Sequence, residues 1–330
     1  MKNINLTTDY LGLKLKNPLI MSSSGLTASV EKITKAAQAG VAAVVLKSLF
    51  EEQINNDAGR LEDQSNEDYP EAIDYIRAYT KSNSVSRYIE LIKDVKNAVD
   101  IPVIASISCI SDEEWIDFAK QVEAAGADAL ELNLFFLPVN ADNEAKLYEN
   151  IYYNLLDKIK KVVKIPVAVK IGYYFTNPIH VVNELYNHKA DAVVIFNKFY
   201  EPDIDIDKLK MIPGHVFSNS SDIHVSLRWM SLISAAVPKI QLSASTGIHD
   251  GKAIVKQLLA GAQTVQACSV FYQKGVEEAA TMIKFVEEWM ERQNFKSIGE
   301  FRGLFNYKSI PNPEMYERSQ FMKYYSSKEQ

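Results

Sequence analysis

Four polar side chains close runs of sequence that are otherwise apolar, and they carry most of the chemistry in this chain. Lys47 ends Val41-Ala42-Ala43-Val44-Val45-Leu46, and Asn133 ends Ala129-Leu130-Glu131-Leu132. Lys170 follows Val167-Ala168-Val169, and Asn197 follows Val193-Val194-Ile195-Phe196. Lysine is seldom buried without a partner. Two of them at such positions require either a bulky anionic or electron-rich ligand, or an ion pair with a nearby carboxylate such as Glu131. Small hydroxyl residues end the other runs: Ser22-Ser23-Ser24-Gly25, Ser106 with Ser108, Ser245-Thr246-Gly247 and Ala267-Cys268-Ser269. Backbone N–H groups in a turn such as Ser245-Thr246-Gly247, with a helix starting near His249-Asp250 behind them, bind phosphate well. Ser269 can add a hydroxyl or an amide.

Other chemistries have no footing. There is no GxGxxG and no GxxxxGK[ST], which leaves dinucleotide-fold and P-loop readings unsupported. His180, His188, His215, His224 and His249 show no zinc-ligand spacing and read as surface or helix-terminal residues, so no metal is expected. Cys268 reads as a buried structural thiol, and Cys109 as a more open one without a visible partner. Two cysteines exclude a disulfide framework and a cluster held by four cysteines of this chain.

These residues need elements to hold them. Apolar runs at 18–22, 41–47, 101–108, 127–133, 165–171, 190–197, 239–243 and 262–268 alternate with segments able to form helices. The helical candidates are 30–39, 86–99, 112–125, 145–163, 178–187, 225–236, 249–260 and 276–293, with Trp115, Trp229 and Trp289 as packing residues within them. Several helices end in a small-residue corner, such as Ala39-Gly40, Ala125-Gly126 and Ala260-Gly261, and a near-continuous apolar run follows at once. Glycine suits the helix C′ position, and such runs suit parallel strands covered on both faces. Eight alternations over 330 residues favour a closed (β/α)8 TIM barrel over an open doubly wound sheet or two smaller domains.

The whole chain, 1–330, then reads as one α/β domain with three additions. Residues 4–15 read as an N-terminal β-hairpin plugging the barrel bottom. Residues 50–84 form a long polar loop after the second strand, and the aromatic tail 302–330 packs back on the barrel. The formal net charge of −6 argues against nucleic acid or an anionic membrane as the main partner. With few thiols and no targeting segment, a cytoplasmic protein is expected.

With these residues in place, the chain resembles the dihydroorotate dehydrogenase family of FMN-dependent TIM barrels, from Asn17-Pro18-Leu19 to Phe301-Arg302-Gly303. It looks most similar to the dihydroorotate dehydrogenase-like branch, through Tyr10-Leu11-Gly12-Leu13, Ser48-Leu49-Phe50-Glu51-Glu52-Gln53, Leu137-Pro138 and Tyr316-Glu317-Arg318-Ser319-Gln320-Phe321-Met322-Lys323. The resemblance implies an oxidoreductase acting on CH–CH groups, which in the family converts dihydroorotate to orotate in pyrimidine (UMP) biosynthesis. It also implies a small-molecule substrate, an electron acceptor and a possible homodimer. By the same resemblance Ser22, Ser23, Ser24 and Gly25 lie along the flavin, and Lys47 lies near the flavin ring and substrate. Ser106 joins the cofactor set, and Asn133 reaches both flavin and substrate. Lys170 faces the isoalloxazine, where a cation stabilises reduced flavin, and Asn197 holds substrate. Ser245, Thr246 and Gly247, with Ala267, Cys268 and Ser269, form the two phosphate-binding turns.

The pattern departs from the family in two places. Family members carry a Cys or Ser base just after the strand-four asparagine, where this chain has Phe135-Phe136. The family's Asn-Ser-Met-Gly-Leu type loop after strand two is replaced by the acidic Asp63-Gln64-Ser65-Asn66-Glu67-Asp68. If the family reaction runs, its proton needs another carrier, such as Ser108, Ser111 or Tyr173. The alternatives are an FMN enzyme working on the C=C or CH–CH bond of another ring, a flavin-binding barrel that has lost catalysis, and a lyase using Lys170 as a Schiff base.

Overall fold

The computed structural model describes residues 4–50, 70–108, 113–199 and 201–317. Among them the chain opens with a hairpin, β1 (Thr8–Tyr10) and β2 (Leu13–Leu15), and continues through β3 (Leu19–Met21), α1 (Val30–Gln38), β4 (Ala43–Val45) and β5 (Leu49–Phe50). It proceeds through α2 (Pro70–Ala98), β6 (Val103–Ser108), α3 (Glu113–Ala124), β7 (Ala129–Asn133), α4 (Ala145–Val162), β8 (Val167–Ile171), α5 (Pro178–Asn187) and β9 (Ala192–Ile195). A second hairpin, β10 (Pro202–Asp205) and β11 (Lys210–Pro213), precedes α6 (Ile223–Ala236), β12 (Gln241–Ser245), α7 (Gly251–Ala260), β13 (Thr264–Ala267), α8 (Ser269–Lys274) and α9 (Glu278–Gln293).

Strands β3, β4, β6, β7, β8, β9, β12 and β13 form one parallel sheet, and the β13–β3, β3–β4 and β4–β6 pairings close it into a barrel. All eight expected strands are present, and the closed (β/α)8 barrel is the observed architecture. No helix among the described residues is long and apolar enough to cross a membrane.

The Ala-Asp-Ala and Ala-Gln-Thr corners that recur in the sequence have a structural use. Asp128 Oδ2 accepts from Val103 N at 2.7 Å, Asp191 Oδ2 accepts from Val167 N at 2.7 Å, and Gln263 Oε1 accepts from Leu242 N at 2.6 Å. Each polar residue entering a strand thus satisfies an N–H at the start of the preceding strand, a group that would otherwise lack a partner at the barrel rim. Asp128 also binds Lys96 Nζ of α2 at 2.8 Å, and Asp191 binds Lys160 Nζ of α4 at 2.7 Å. The device ties helix, strand and neighbouring strand together at one carboxylate.

The N-terminal hairpin does plug the barrel. Tyr10, Leu11 and Leu15 are fully buried in a cluster with Ile20, Val45, Ile104, Val194 and the small residues Ala43, Ala129, Ala168 and Ala192. The alanines leave the axial room that the Tyr10 ring and Leu11 fill. Leu11 N is held by Gln241 Oε1 at 2.6 Å.

Two expectations are revised. The segment 50–84 is not a loop throughout, because α2 begins at Pro70 and runs on to Ala98. Proline suits the first turn of a helix, where its missing N–H has no partner to lose. Residues 51–69 and the acidic segment Asp63-Gln64-Ser65-Asn66-Glu67-Asp68 lie outside the described residues, as do Cys109, Ser111 and the tail beyond 317. The β10–β11 hairpin was not expected, since its mixed Pro-Asp-Ile-Asp sequence lacks a buried face. Described parts of the tail do pack back: Tyr307 N donates to Ser231 O at 3.2 Å, and Tyr316 donates its hydroxyl to Phe305 O at 2.7 Å.

Replacing Asp128 with alanine strands the Val103 N–H and is expected to cost about 1–3 kcal/mol in urea denaturation. Asp9→Ala, at an exposed position of the hairpin, is the comparison; equal losses in the two variants would remove this account of the corners.

Candidate functional site

The buried cation at the centre of the barrel mouth is Lys170, the penultimate residue of β8, which is 5% exposed. Its Nζ lies 3.2 Å from Ser22 Oγ, 3.3 Å from Gln266 Oε1 and 3.7 Å from Glu131 Oε1. Gln266 in turn donates Nε2 to Glu131 Oε2 at 2.6 Å and accepts from Ser22 Oγ at 3.1 Å. Lysine, glutamine and glutamate from three strands, with the serine that follows β3, therefore form one closed network. Glu131 Oε1, deeper in the barrel, is buried without a hydrogen-bond partner among the described residues. Burial, reinforced by the Glu131 charge, pushes the Tyr10 phenol well above its ordinary value.

A second network crosses the mouth. Ser48 Oγ lies 2.7 Å from Ser106 Oγ and 3.1 Å from Ser23 Oγ, and it accepts from Asn133 Nδ2 at 3.2 Å. Asn133 Oδ1 accepts from Asn197 Nδ2 at 2.9 Å. Ser106 is itself clamped, because its N–H and carbonyl both bond the buried Tyr88 hydroxyl of α2, at 2.7 and 2.9 Å. Each amide NH2 has two hydrogens, so Asn133 and Asn197 are oriented by one and can present the other to a ligand.

The third part lies beyond β12 and β13. Thr246 and Gly247 both take positive φ, 74° and 82°, and Thr246 is held there by its Oγ1 donating to Phe196 O at 2.9 Å. A Cβ on Gly247 would fall 2.2 Å from Ile223 N, so only glycine lets the start of α6 approach the turn. Ser269 Oγ accepts from Ser218 N at 3.0 Å and from Ser218 Oγ at 3.1 Å, and Ser218 Oγ lies 3.0 Å from His249 Nε2.

One cavity of about 480 Å³ joins these features. It is lined by Ser22, Ser23, Ser24 and Gly25, by Lys170 and Asn197, and by Ser245, Thr246, Gly247, Cys268 and Ser269. A cleft lined by hydroxyls, a glycine turn and one buried ammonium fits a ligand that carries both a phosphate and an electron-rich ring.

The expected site residues do not all converge. Lys47 lines a separate cavity of about 560 Å³ beside α2, with Arg87, Glu90 and Asp94. Ser48 borders that space and hydrogen-bonds into the mouth. Ala267 shapes the site only through its backbone, its carbonyl accepting from Ser22 N at 2.8 Å. Cys268 behaves as a largely buried thiol. Burial pushes the thiol up, against the opposing Ser24 hydrogen bond and the Lys170 charge, which disfavours the thiolate. Phe136 packs edge-on against Tyr152 (5.4 Å, 78°), and Phe135 lies against Phe199 at 4.3 Å. Neither offers an atom that accepts a proton. Of the other proton carriers considered, Ser108 is buried at the end of β6, and Tyr173 is 46% exposed at the mouth.

Sequence reasoning passed over Ser48, Gln266, Ser218 and His249. A polar residue inside an apolar strand, the signal that picked out Glu131, was there for Gln266. Nothing local ties Ser218 to His249, which are 31 residues apart.

A family model described as dihydroorotate dehydrogenase matches residues 5–290. Among curated proteins the chain is 26% identical over 315 residues to "Dihydroorotate dehydrogenase B (NAD(+)), catalytic subunit" of Thermoplasma volcanium, covering 91% of this chain and 98% of that one. A protein of the same name from Methanocaldococcus jannaschii is 26% identical over 310 residues, covering 91% and 97%. "Dihydroorotate dehydrogenase A (fumarate)" of Lactobacillus helveticus is 26% identical over 213 residues, covering 62% and 67%.

His249 supplies a pH dependence with a definite sign. Burial pushes its imidazole below the ordinary value, aided by Lys274 and opposed by the Ser218 hydrogen bond, Asp222 and Asp250. The unfolded chain then takes up a proton that the folded protein does not, so stability falls as pH drops through the ordinary histidine range, from about 7 to about 5.5. His249→Gln is expected to flatten that part of the melting-temperature profile, and an unchanged slope would refute the assignment.

Proposed function

Because the chain belongs to the dihydroorotate dehydrogenase family, whose members are oxidoreductases acting on CH–CH groups, we propose that it is an FMN-dependent oxidoreductase working at the barrel mouth around Lys170. The observation that carries this reading is the buried ammonium in the hydroxyl-lined cleft. Bound FMN supplies a two-electron hydride acceptor or donor. The Thr246-Gly247 turn, Ser218 and Ser269 would hold its phosphate. Ser22, Ser23, Ser24 and Gly25 would lie along it, and Lys170 would sit at the edge of the ring that gains charge on reduction. The Ser22–Gln266–Glu131 network keeps that ammonium in place. Asn133 and Asn197, held in line by Ser48, would orient the substrate.

The first reading is the family reaction, dihydroorotate to orotate, part of pyrimidine biosynthesis, in which a CH–CH bond gives up a hydride and a proton. The proton needs a carrier on this chain, and the Tyr173 hydroxyl is the one at the mouth. A second reading rests on Phe135 and Phe136. Without the family base, and with the Tyr173 O–H as a donor at the mouth, the reaction favoured is reduction of a ring C=C. One carbon gains a hydride and the other the Tyr173 proton, with a reduced nicotinamide as the electron source. A cytoplasmic site of action goes with both readings. The relatives' name, catalytic subunit, favours an electron-carrying partner chain in addition to any homodimer.

The purified protein is expected to be yellow. A colourless protein that takes up no added FMN would remove the cofactor. Under anaerobic conditions, bleaching of the flavin by dihydroorotate selects the first reading. Silence toward dihydroorotate with turnover of cyclic enones selects the second. In either case Tyr173→Phe is expected to slow the half-reaction by about 100-fold while leaving the flavin spectrum intact; a wild-type rate would clear Tyr173 of the role.

A further inference from the structure

The loops after β7, β8 and β9 carry aromatic rings where the other strand ends carry hydroxyls. Tyr173, Phe196 and Phe199 line a third cavity of about 120 Å³, and Asn197, Ser245 and Thr246 line both this space and the hydroxyl-rich cleft. The two spaces therefore meet at Asn197, the residue whose amide is oriented through Asn133. Phe199 lies over Gly172, where an added Cβ would meet its ring at 2.4 Å. Tyr173 stands edge-on to Phe199 at 5.4 Å and 77°. Phe135 and Tyr174 back Phe199 at centroid distances of 4.3 and 3.9 Å. Tyr173 and Tyr174 remain 46% and 41% exposed beside a cofactor-sized cleft. That aromatic area is what a planar ligand would cover.

The charges narrow the class of ligand. Glu201 and Asp222 line the small cavity, and Lys198 is the one cation among its described lining residues. Lys198 Nζ already pairs with Glu201 Oε1 at 2.6 Å. Lys170 is engaged by Ser22 and Gln266, and Lys47 lines the separate space beside α2. A carboxylate entering here would lose hydration, face Glu201 and Asp222, and find its one cation occupied.

We propose that this barrel takes a planar, uncharged, carbonyl-bearing ring, laid on the exposed Tyr173 ring and bordered by the buried Phe199, with its carbonyl at the Asn197 amide, and that Glu201 turns away analogues bearing a carboxylate. The proposal rests on the second of the two readings above and specifies its substrate class.

The test titrates the FMN-loaded protein with 2-quinolone and with 2-quinolone-4-carboxylate, the same ring without and with the charge. Binding is read by calorimetry and by the shift in the flavin's visible bands. The neutral ring is expected to bind at least about tenfold more tightly. Phe199→Leu, which keeps apolar volume but removes the ring, is expected to weaken it by about tenfold. Glu201→Gln frees Lys198 and is expected to narrow the preference by about fivefold. Melting curves establish that both variants are folded. Equal or tighter binding of the carboxylate, or a neutral-ring affinity unmoved by Phe199→Leu, overturns the proposal. If the protein takes up no FMN, the cofactor reading fails separately, and calorimetry on the colourless chain still decides between the two rings.

Discussion

An ammonium group that is 5% exposed at the mouth of a barrel has lost nearly all its hydration, and the placement of everything around Lys170 answers to that loss. Coulombic attraction to Glu131 at 3.7 Å is not sufficient alone, because the carboxylate is itself fully desolvated. Gln266 closes the gap by accepting from Lys170 and donating to Glu131, while Ser22 binds both Lys170 and Gln266. The result is a fixed positive charge that cannot swing to solvent. It is held where an electron-rich ligand would meet it without reorganisation.

Around that charge the mouth divides into two halves of opposite character. The ends of β3, β12 and β13 present hydroxyls and a glycine turn, and the ends of β7, β8 and β9 present rings. Asn133 and Asn197 lie on the line between them, joined to each other and, through Ser48, to the hydroxyl side. A ligand spanning the mouth would be fixed by its phosphate and polar edge on one side, and a second, ring-shaped ligand would meet the aromatic side. The division would let one half hold a ligand while the other varies. The two halves sit on different loops of a barrel whose strands are independent of either.

Stability is handled away from the mouth. The corner carboxylates Asp128 and Asp191 satisfy strand-entry N–H groups at the opposite rim, and the Tyr10 hairpin fills the space above it.

Much of this was legible in the residues themselves. The eight strands, the plug hairpin and the strand-end Lys170, Asn133 and Asn197 follow from apolar runs and small-residue corners, which are local patterns of hydrophobicity and backbone freedom. The first half of α2, residues 70–85, was not legible, because a polar helix without an apolar stripe reads as a loop. What only the tertiary structure decided is who meets whom. Gln266 and Glu131 are 135 residues apart, and Ser48 and Asn133 are 85 apart. Lys47 and Lys170 look equivalent in sequence, yet they line different cavities. Closing the barrel sets these neighbours through strand register and stagger, which depend on all eight strands at once and leave no trace in any one of them.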